Sequence, residues 1–385
     1  MSVFPAPPRT PPETPARSPM WRFALLVIAG WSSGCFAAYV VRGGTSWHYF
    51  AQAQQALIDL DDHVRGGLHV YAGLPSLQFG PAAFAAAAVT APFGPRALLV
   101  AQVAGVVAGI VILGAIRDIA RRTRPDLSAA RIDRRTLFAG MFVVPVWGYL
   151  AVSVAHLDDV LTLLFAVLGL RAAVAGRGVL AGALLALAVD AKPWALPFAC
   201  LLLLLPADRR RPAVLTYATV VALAWLPFLL GDLGTVHALR YTIPNTDFSA
   251  LRVLGVTSPR TPSWDRPAQI LVGLAVSLLA IAHRRWELVL LATIAARVVL
   301  DPGTNHYYAA GIVVAAAAWD VAGSRGSFPW WTAISSAGLF FARSLPLPPA
   351  ANGIALIVFF GAVCVLAALP RRERRSPRGL LAQNA

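Results

Sequence analysis

Apolar runs of about 17–25 residues, the length that crosses a bilayer as a helix, recur along this whole chain, and polar residues come in short bursts between them. The pattern predicts twelve crossings, near 23–41, 96–116, 136–155, 159–175, 178–190, 193–206, 213–231, 267–282, 287–300, 307–322, 328–343 and 353–369. The fold class is therefore an all-α polytopic membrane protein with about 12 transmembrane helices, 10–13 depending on how the short runs are read. Residues 1–20 form a proline-rich leader expected to be disordered, 21–370 a single transmembrane domain, and 371–385 a basic tail.

One apolar segment does not fit the alternation. "FGPAAFAAAAVTAPFGP" (79–95) is short, and counting it as a crossing would move the loop "RDIARRTRPDLSAARIDRR" (117–135), with its seven arginines, to the opposite side. It is read as a re-entrant or interfacial helix under the first external loop. Arginine-rich loops stay on the cytoplasmic side. That rule puts both termini in the cytoplasm and places the protein in the plasma membrane. Asp59, Asp61, Asp62, Asp158, Asp159, Asp190, Asp232, Asp247, Asp265 and Asp301 then all fall at external ends or loops, together with six of the histidines.

Composition narrows the class further. The chain has 385 residues, 58% hydrophobic and 13% charged, with a mean hydropathy of +0.65, which no soluble globular domain of this size matches. A net charge of +15 invites a nucleic-acid reading. The arginines, however, sit in short loops between spans, and no basic stretch with interleaved aromatics or nucleic-acid fold signature is present, so no nucleic acid is expected. Cys35, Cys200 and Cys364 lie in apolar runs without metal or redox spacing.

Candidate chemistry collects at the external side. Trp47–Leu60 has the spacing of an amphipathic helix lying in the membrane plane. It leads into "DLDDHVRGG", where crowded carboxylates raise one another's pKa and suit a general base; a solvated loop with Asp–Arg pairing explains the same residues. In "AHLDDVLTLLF", His156, Asp158 and Asp159 open a span, where ionisable groups need water or a partner. Helix capping by Asp158 accounts for one of them. Lys192, the chain's single lysine, stands in "VDAKPWALP" between two short apolar runs. An ammonium there is a compact phosphate ligand, though an Asp190–Lys192 pair or snorkelling to headgroups would also place it. "DPGTNHYYAAG" (301–311) adds His306 and two tyrosines at a helix start, where a cap and an aromatic belt are the plainer account.

These pieces resemble the GT-C membrane glycosyltransferases, and most nearly the actinobacterial polyprenyl-phosphate-mannose-dependent mannosyltransferases. The resemblance covers roughly residues 20–320 and is carried by "GLHVYAGLPSLQFGPAAF", "HLDDVL" and "GRGVLAGALLALAVDAKPWALP". It implies an inverting transfer of mannose from a polyprenyl-phosphate sugar donor to a lipid or glycan acceptor at the outer face, amid membrane lipids. In the family an aspartate is expected near the start of the flat helix, where this chain has Ser46. The base then falls to Asp61 or Asp62, or to Asp158 or Asp159. The resemblance further implies that Lys192 holds the donor phosphate, helped by Arg65 and His156, with His48 and His306 completing the candidate substrate-binding set. No cofactor is certain; the paired acids are compatible with a divalent cation, but no ligand spacing commits them to one. A transporter or flippase uses broken helices and sparse charge too, and the Ser46 departure keeps a catalytically inactive scaffold as a further alternative.

Overall fold

The computed structural model describes residues 19–370 apart from 60 and 63. Most of the proline-rich leader and the whole tail 371–385 lie outside the described residues. Among those described, the elements are helical, with one isolated antiparallel bridge between Pro244 and Arg260.

Six helical stretches are long and apolar enough to cross a membrane: Pro19–Val40, Pro81–Thr123, Ala129–Val154, Ala207–Gly231, Asp265–Ala282 and Pro349–Ala368. The principal α-helices are α1 (Pro19–Val40), α2 (Trp47–Ile58), α3 (Pro81–Thr90), α4 (Ala97–Thr123), α5 (Ala129–Gly148), α6 (Leu157–Val174), α7 (Gly178–Ala191), α8 (Ala207–Gly231), α9 (Asp265–Ala282), α10 (Val289–Leu300), α11 (Ala309–Ala318), α12 (Trp330–Ser335) and α13 (Pro349–Ala368). The six remaining expected runs are helical as well. Of these, α6 carries Asp158, Asp159 and Arg171, and the others are shorter.

Pro193–Leu204 is wound as a 3-10 helix with Pro197 inside it. Proline has no N–H for an α-helical bond, and its ring would collide with the carbonyl four residues back. The tighter winding rises about 2.0 Å per residue against about 1.5 Å in an α-helix. Twelve residues therefore reach further than an α-helix of that length.

Composition does not tell which helices are central. Every residue of α11 is buried, whereas α8 buries only Ala213 and Phe228 and turns its apolar surface outward. Both read as apolar because lipid tails and a protein core make the same demand. Where helices touch closely, small residues allow it: a side chain on Gly182 of α7 would run into the Ala213 carbonyl of α8.

Contacts sort the loops into two ends. At one, Gly44 donates to the Ser153 carbonyl, Gly80 to Ala191 and Thr246 to Pro302, and His69 meets Asp232. At the other, Arg124 reaches Ser324, Arg209 reaches Gly176 and Arg285 reaches Leu369. Successive segments run from one end to the other. The aspartates singled out in the sequence lie at the first end, and the arginine-rich loops at the second. The segment 79–95 returns to the end it leaves, since Gly80 bonds Ala191 and Gln102, just beyond it, bonds Val152. A left-handed Gly94 makes that return, and α3 itself is short.

The helix α2, expected to lie in the membrane plane, ends at Ile58, slightly short of the expected Leu60. Its buried face, Phe50 and Ala53, belongs to a small apolar cluster with Tyr71, Phe79, Phe84 and Phe228. This cluster is separate from the main core and anchors the long first loop against the bundle.

Candidate functional site

The site begins with a distortion. Pro145 lies inside the last turn of α5, beyond Gly148 the chain continues as a π-turn over Tyr149–Val154, and Ala155 takes a left-handed conformation at φ 53°. For a residue with a Cβ this backbone costs about 1–2 kcal/mol, and π-turns inside helices are frequent at functional sites. The turn reverses the chain so that His156, Asp158 and Asp159 stand at the start of α6. The capping account of Asp158 does not hold; no side-chain cap bond forms, and its Oδ1 accepts the Asp159 amide at 2.8 Å.

Lys192 meets them from α7. The apolar run of α7 ends at Ala191, Lys192 is extended, and Pro193 starts the 3-10 helix. The ammonium lies 2.7 Å from Asp158 Oδ2, 3.0 Å from Asp159 Oδ2 and 3.4 Å from His156 Nε2. All three charged residues are nearly excluded from solvent: Asp158 is 1% exposed, Asp159 4% and Lys192 9%. The Asp190–Lys192 pair, the alternative account of this lysine, does not form; Asp190 is buried and neither of its oxygens has a hydrogen-bond partner. Two of the three ammonium N–H groups expected to serve a phosphate are thus engaged by carboxylates.

The third contribution comes from the segment after α10. Asp301 Oδ1 accepts the amides of Gly303 and Thr304 and shapes the turn that delivers Tyr307 and Tyr308. The Tyr307 hydroxyl lies 2.7 Å from His156 Nε2. With Tyr307 O–H and the Lys192 ammonium both directed at Nε2, the network assigns the ring proton to Nδ1, which lies 3.3 Å from Asp158 Oδ1 without making a hydrogen bond to it. The other oxygen of the second carboxylate, Asp159 Oδ1, has no hydrogen-bond partner.

Arg297 of α10 was not among the residues the sequence pointed to. Its guanidinium stacks 3.9 Å over Tyr308 and 4.8 Å over Trp194. The available signal was positional: an arginine inside "LVLLATIAARVVLD", one turn before Asp301, where an apolar span gives it neither water nor a basic loop. Tyr307 was visible in the sequence as one candidate of 301–311 for which an aromatic belt was the plainer account, because nothing local links it to a histidine in another span.

The remaining predicted residues lie apart from this cluster. Asp61, Arg65 and His48 are exposed. Asp62 Oδ1 accepts the amides of Val64 and Arg65, both at 3.0 Å, so it organises its own turn. His48 Nδ1 lies 3.0 Å from the Thr45 carbonyl and its ring lies tilted against Tyr49. His306 points away from Tyr307's partner, to the Phe340 carbonyl at 2.9 Å. Ser46 is nearer: its amide donates to Val154 at 2.9 Å, and Phe50 of the same helix packs edge-on to His156. The flat helix therefore does abut the site, with serine rather than aspartate at its start.

His156, Asp158 and Asp159 present ligand atoms within 4.8 Å of one another, a spacing that could hold a cation. Lys192 already fills that role between the two carboxylates, and a metal ion would have to displace its ammonium. Comparison of the chain with family models found no match, and comparison with curated proteins found none.

Proposed function

We propose that this chain is a membrane-embedded glycosyltransferase of the GT-C type, moving a sugar, mannose by the sequence resemblance, from a polyprenyl-phosphate donor to an acceptor hydroxyl on a lipid or glycan. The reading rests above all on Asp159, buried, with one oxygen held by Lys192 and the other without a partner. A carboxylate held at one oxygen and without a partner at the other has a lone pair left to accept a proton.

The chemistry is an inverting displacement. The acceptor oxygen forms a bond to the anomeric carbon while the bond from that carbon to the donor phosphate oxygen breaks. The hydroxyl proton passes to Asp159 Oδ1, and polyprenyl phosphate leaves with the electron pair. Lys192 holds both carboxylates in place, and Tyr307 orients His156 beside them. The strained turn at Ala155 holds the acids at the mouth of the bundle.

On this reading all twelve helical segments cross the plasma membrane, both termini are cytoplasmic, and the acid-rich end faces outward. The segregation of arginines to one end supports that orientation. Transporter sites lie near mid-membrane between repeats; here the charge cluster is at one end, which favours chemistry on a lipid headgroup.

The test is transfer from radiolabelled polyprenyl-phosphate-mannose in membranes overproducing the protein, beside Asp159→Asn. Label reaching a new product with the wild type alone supports the reading. No transfer by well-expressed wild type, with other polyprenyl-phosphate sugars also inert, would overturn it.

A further inference from the structure

Asp190, near the end of α7, is a buried acid with neither oxygen bonded. It is 1% exposed, and both carboxylate oxygens are without a hydrogen-bond partner. Asp159, Asp265 and Asp301, buried at the same end, are each held at one oxygen, by Lys192, Gln269 and the Gly303 amide respectively. An ionised carboxylate can only accept hydrogen bonds. Burying one without donors or a counter-charge is so unfavourable that such a group takes up a proton instead.

The elements packed around it supply no counter-charge. Lys192, two residues on, is committed to Asp158 and Asp159 of α6, and Arg171 of α6 pairs with Asp118 at the arginine-rich end. From α8 come the Tyr217 hydroxyl, itself buried without a partner, and the Trp225 indole, both neutral. The charged residues of α8, Asp208, Arg209, Arg210 and Arg211, stand at its opposite end. The 3-10 helix offers Cys200 and the first loop Tyr71, while α3 has no titratable side chain.

We infer that Asp190 is a proton-binding site, an uncharged acid that latches the end of α7 to α8 and to the start of α3. The backbone around it leaves no room for the hydration an anion needs. The Gly80 amide donates to the Ala191 carbonyl at 2.8 Å, and a side chain on Gly80 would run into the Asp190 carbonyl. Further along, α7 rests directly on α8 where Gly182 meets the Ala213 backbone. Losing the proton leaves an anion that only water or a cation can satisfy, and either must part these elements. Lys192 follows two residues later, so the latch borders the candidate site, yet it stands without the transferase reading.

The experiment compares the purified full-length wild type with Asp190→Asn in detergent, from about pH 5 to about pH 9. Infrared difference spectra read the carbonyl stretch of a protonated carboxyl group, and thermal midpoints read the latch. A carboxylic-acid band should separate the wild type from Asp190→Asn at the acid end and disappear as pH rises. The folded wild type keeps a proton that the unfolded chain releases, so its midpoint should fall over the same range. Asp190→Asn should fall by several degrees less. Identical bands in the two proteins, or parallel midpoint curves, overturn the proposal. Sodium chloride that removed the band at constant pH and raised the midpoint would make the occupant a sodium ion, which overturns it as well. Should Asp190→Asn fail to fold, Asp190→Leu takes its place, because an uncharged acid without partners tolerates an apolar side chain of similar size. Loss of folding in both would be equally fatal.

Discussion

The Tyr307 hydroxyl and His156 Nε2 meet at 2.7 Å although 151 positions separate them in the chain. That bond joins the turn after α10 to the turn before α6, and Lys192 joins α7 to the same point. The three-way junction fixes side chains that no single helix could align, and each of its members gives a distinct expectation.

Removing the lysine charge should damage the protein out of proportion to the size of the change. Lys192→Met leaves Asp158 and Asp159 facing each other in a buried site, and breaking a buried ion pair from one side costs about 3–5 kcal/mol. Thermal unfolding in detergent should show a large fall in midpoint. Adding Asp158→Asn should recover part of that fall, since groups sharing one ion pair are not additive. Equal midpoints for the single and double variants would count against coupling between these residues.

Asp159→Asn should reduce sugar transfer by about 10²-fold or more, the scale of a lost general base. Asp61→Asn should stay near the wild type, because Asp61 is exposed in the first loop and outside the cluster. Initial transfer rates in membranes at matched expression distinguish them. A reversed order would return the base to the first loop.

Tyr307→Phe deletes one hydroxyl and leaves the ring against His156. The lost hydrogen bond is worth about 0.5–1.5 kcal/mol. A drop in midpoint much smaller than that of Lys192→Met is expected, and a drop of equal size would mean that the tyrosine does more than orient the imidazole.

The first loop should have its own acid sensitivity. Asp232 ends α8 outside the spans, and the hydrogen bond from His69, followed by the Gly234 amide, holds its carboxyl below the usual carboxylate range. A depressed carboxyl stabilises the fold above its unfolded value of about 3.9, and the contribution disappears as pH falls through the lower folded value. Midpoints measured from pH 6 down to pH 3 should therefore fall less steeply in Asp232→Asn than in the wild type. Parallel curves would show that the His69–Asp232 contact carries no linkage.

Close packing between α7 and α8 gives a test away from the site. Gly182→Leu places a side chain against the Ala213 backbone and should destabilise the protein by about 1–3 kcal/mol or more. Gly114→Leu, where nothing lies within contact range, serves as the comparison and should be nearly silent.

Much of the architecture was already legible in the chain. Apolar runs located every long helical segment, because a bilayer imposes the same length and hydropathy on each crossing wherever it packs. Arginine placement sorted the loops, and the amphipathic stretch after α1 announced the helix α2. His156, Asp158, Asp159 and Lys192 stood out because ionisable groups next to apolar runs need partners. What the sequence could not give was the identity of those partners. Lys192 is two residues from Asp190 but pairs with acids more than thirty positions away, and Arg297 and Tyr307 join the site only through the packing of α10 against the 3-10 helix that follows Lys192 and of α11 against α6. Lipid and protein interior select the same residues, so neither the buried α11 nor the outward-facing α8 declares its neighbours by composition. The chain determined which segments are helices and which end is acidic; only their packing decided which donor faces which acceptor.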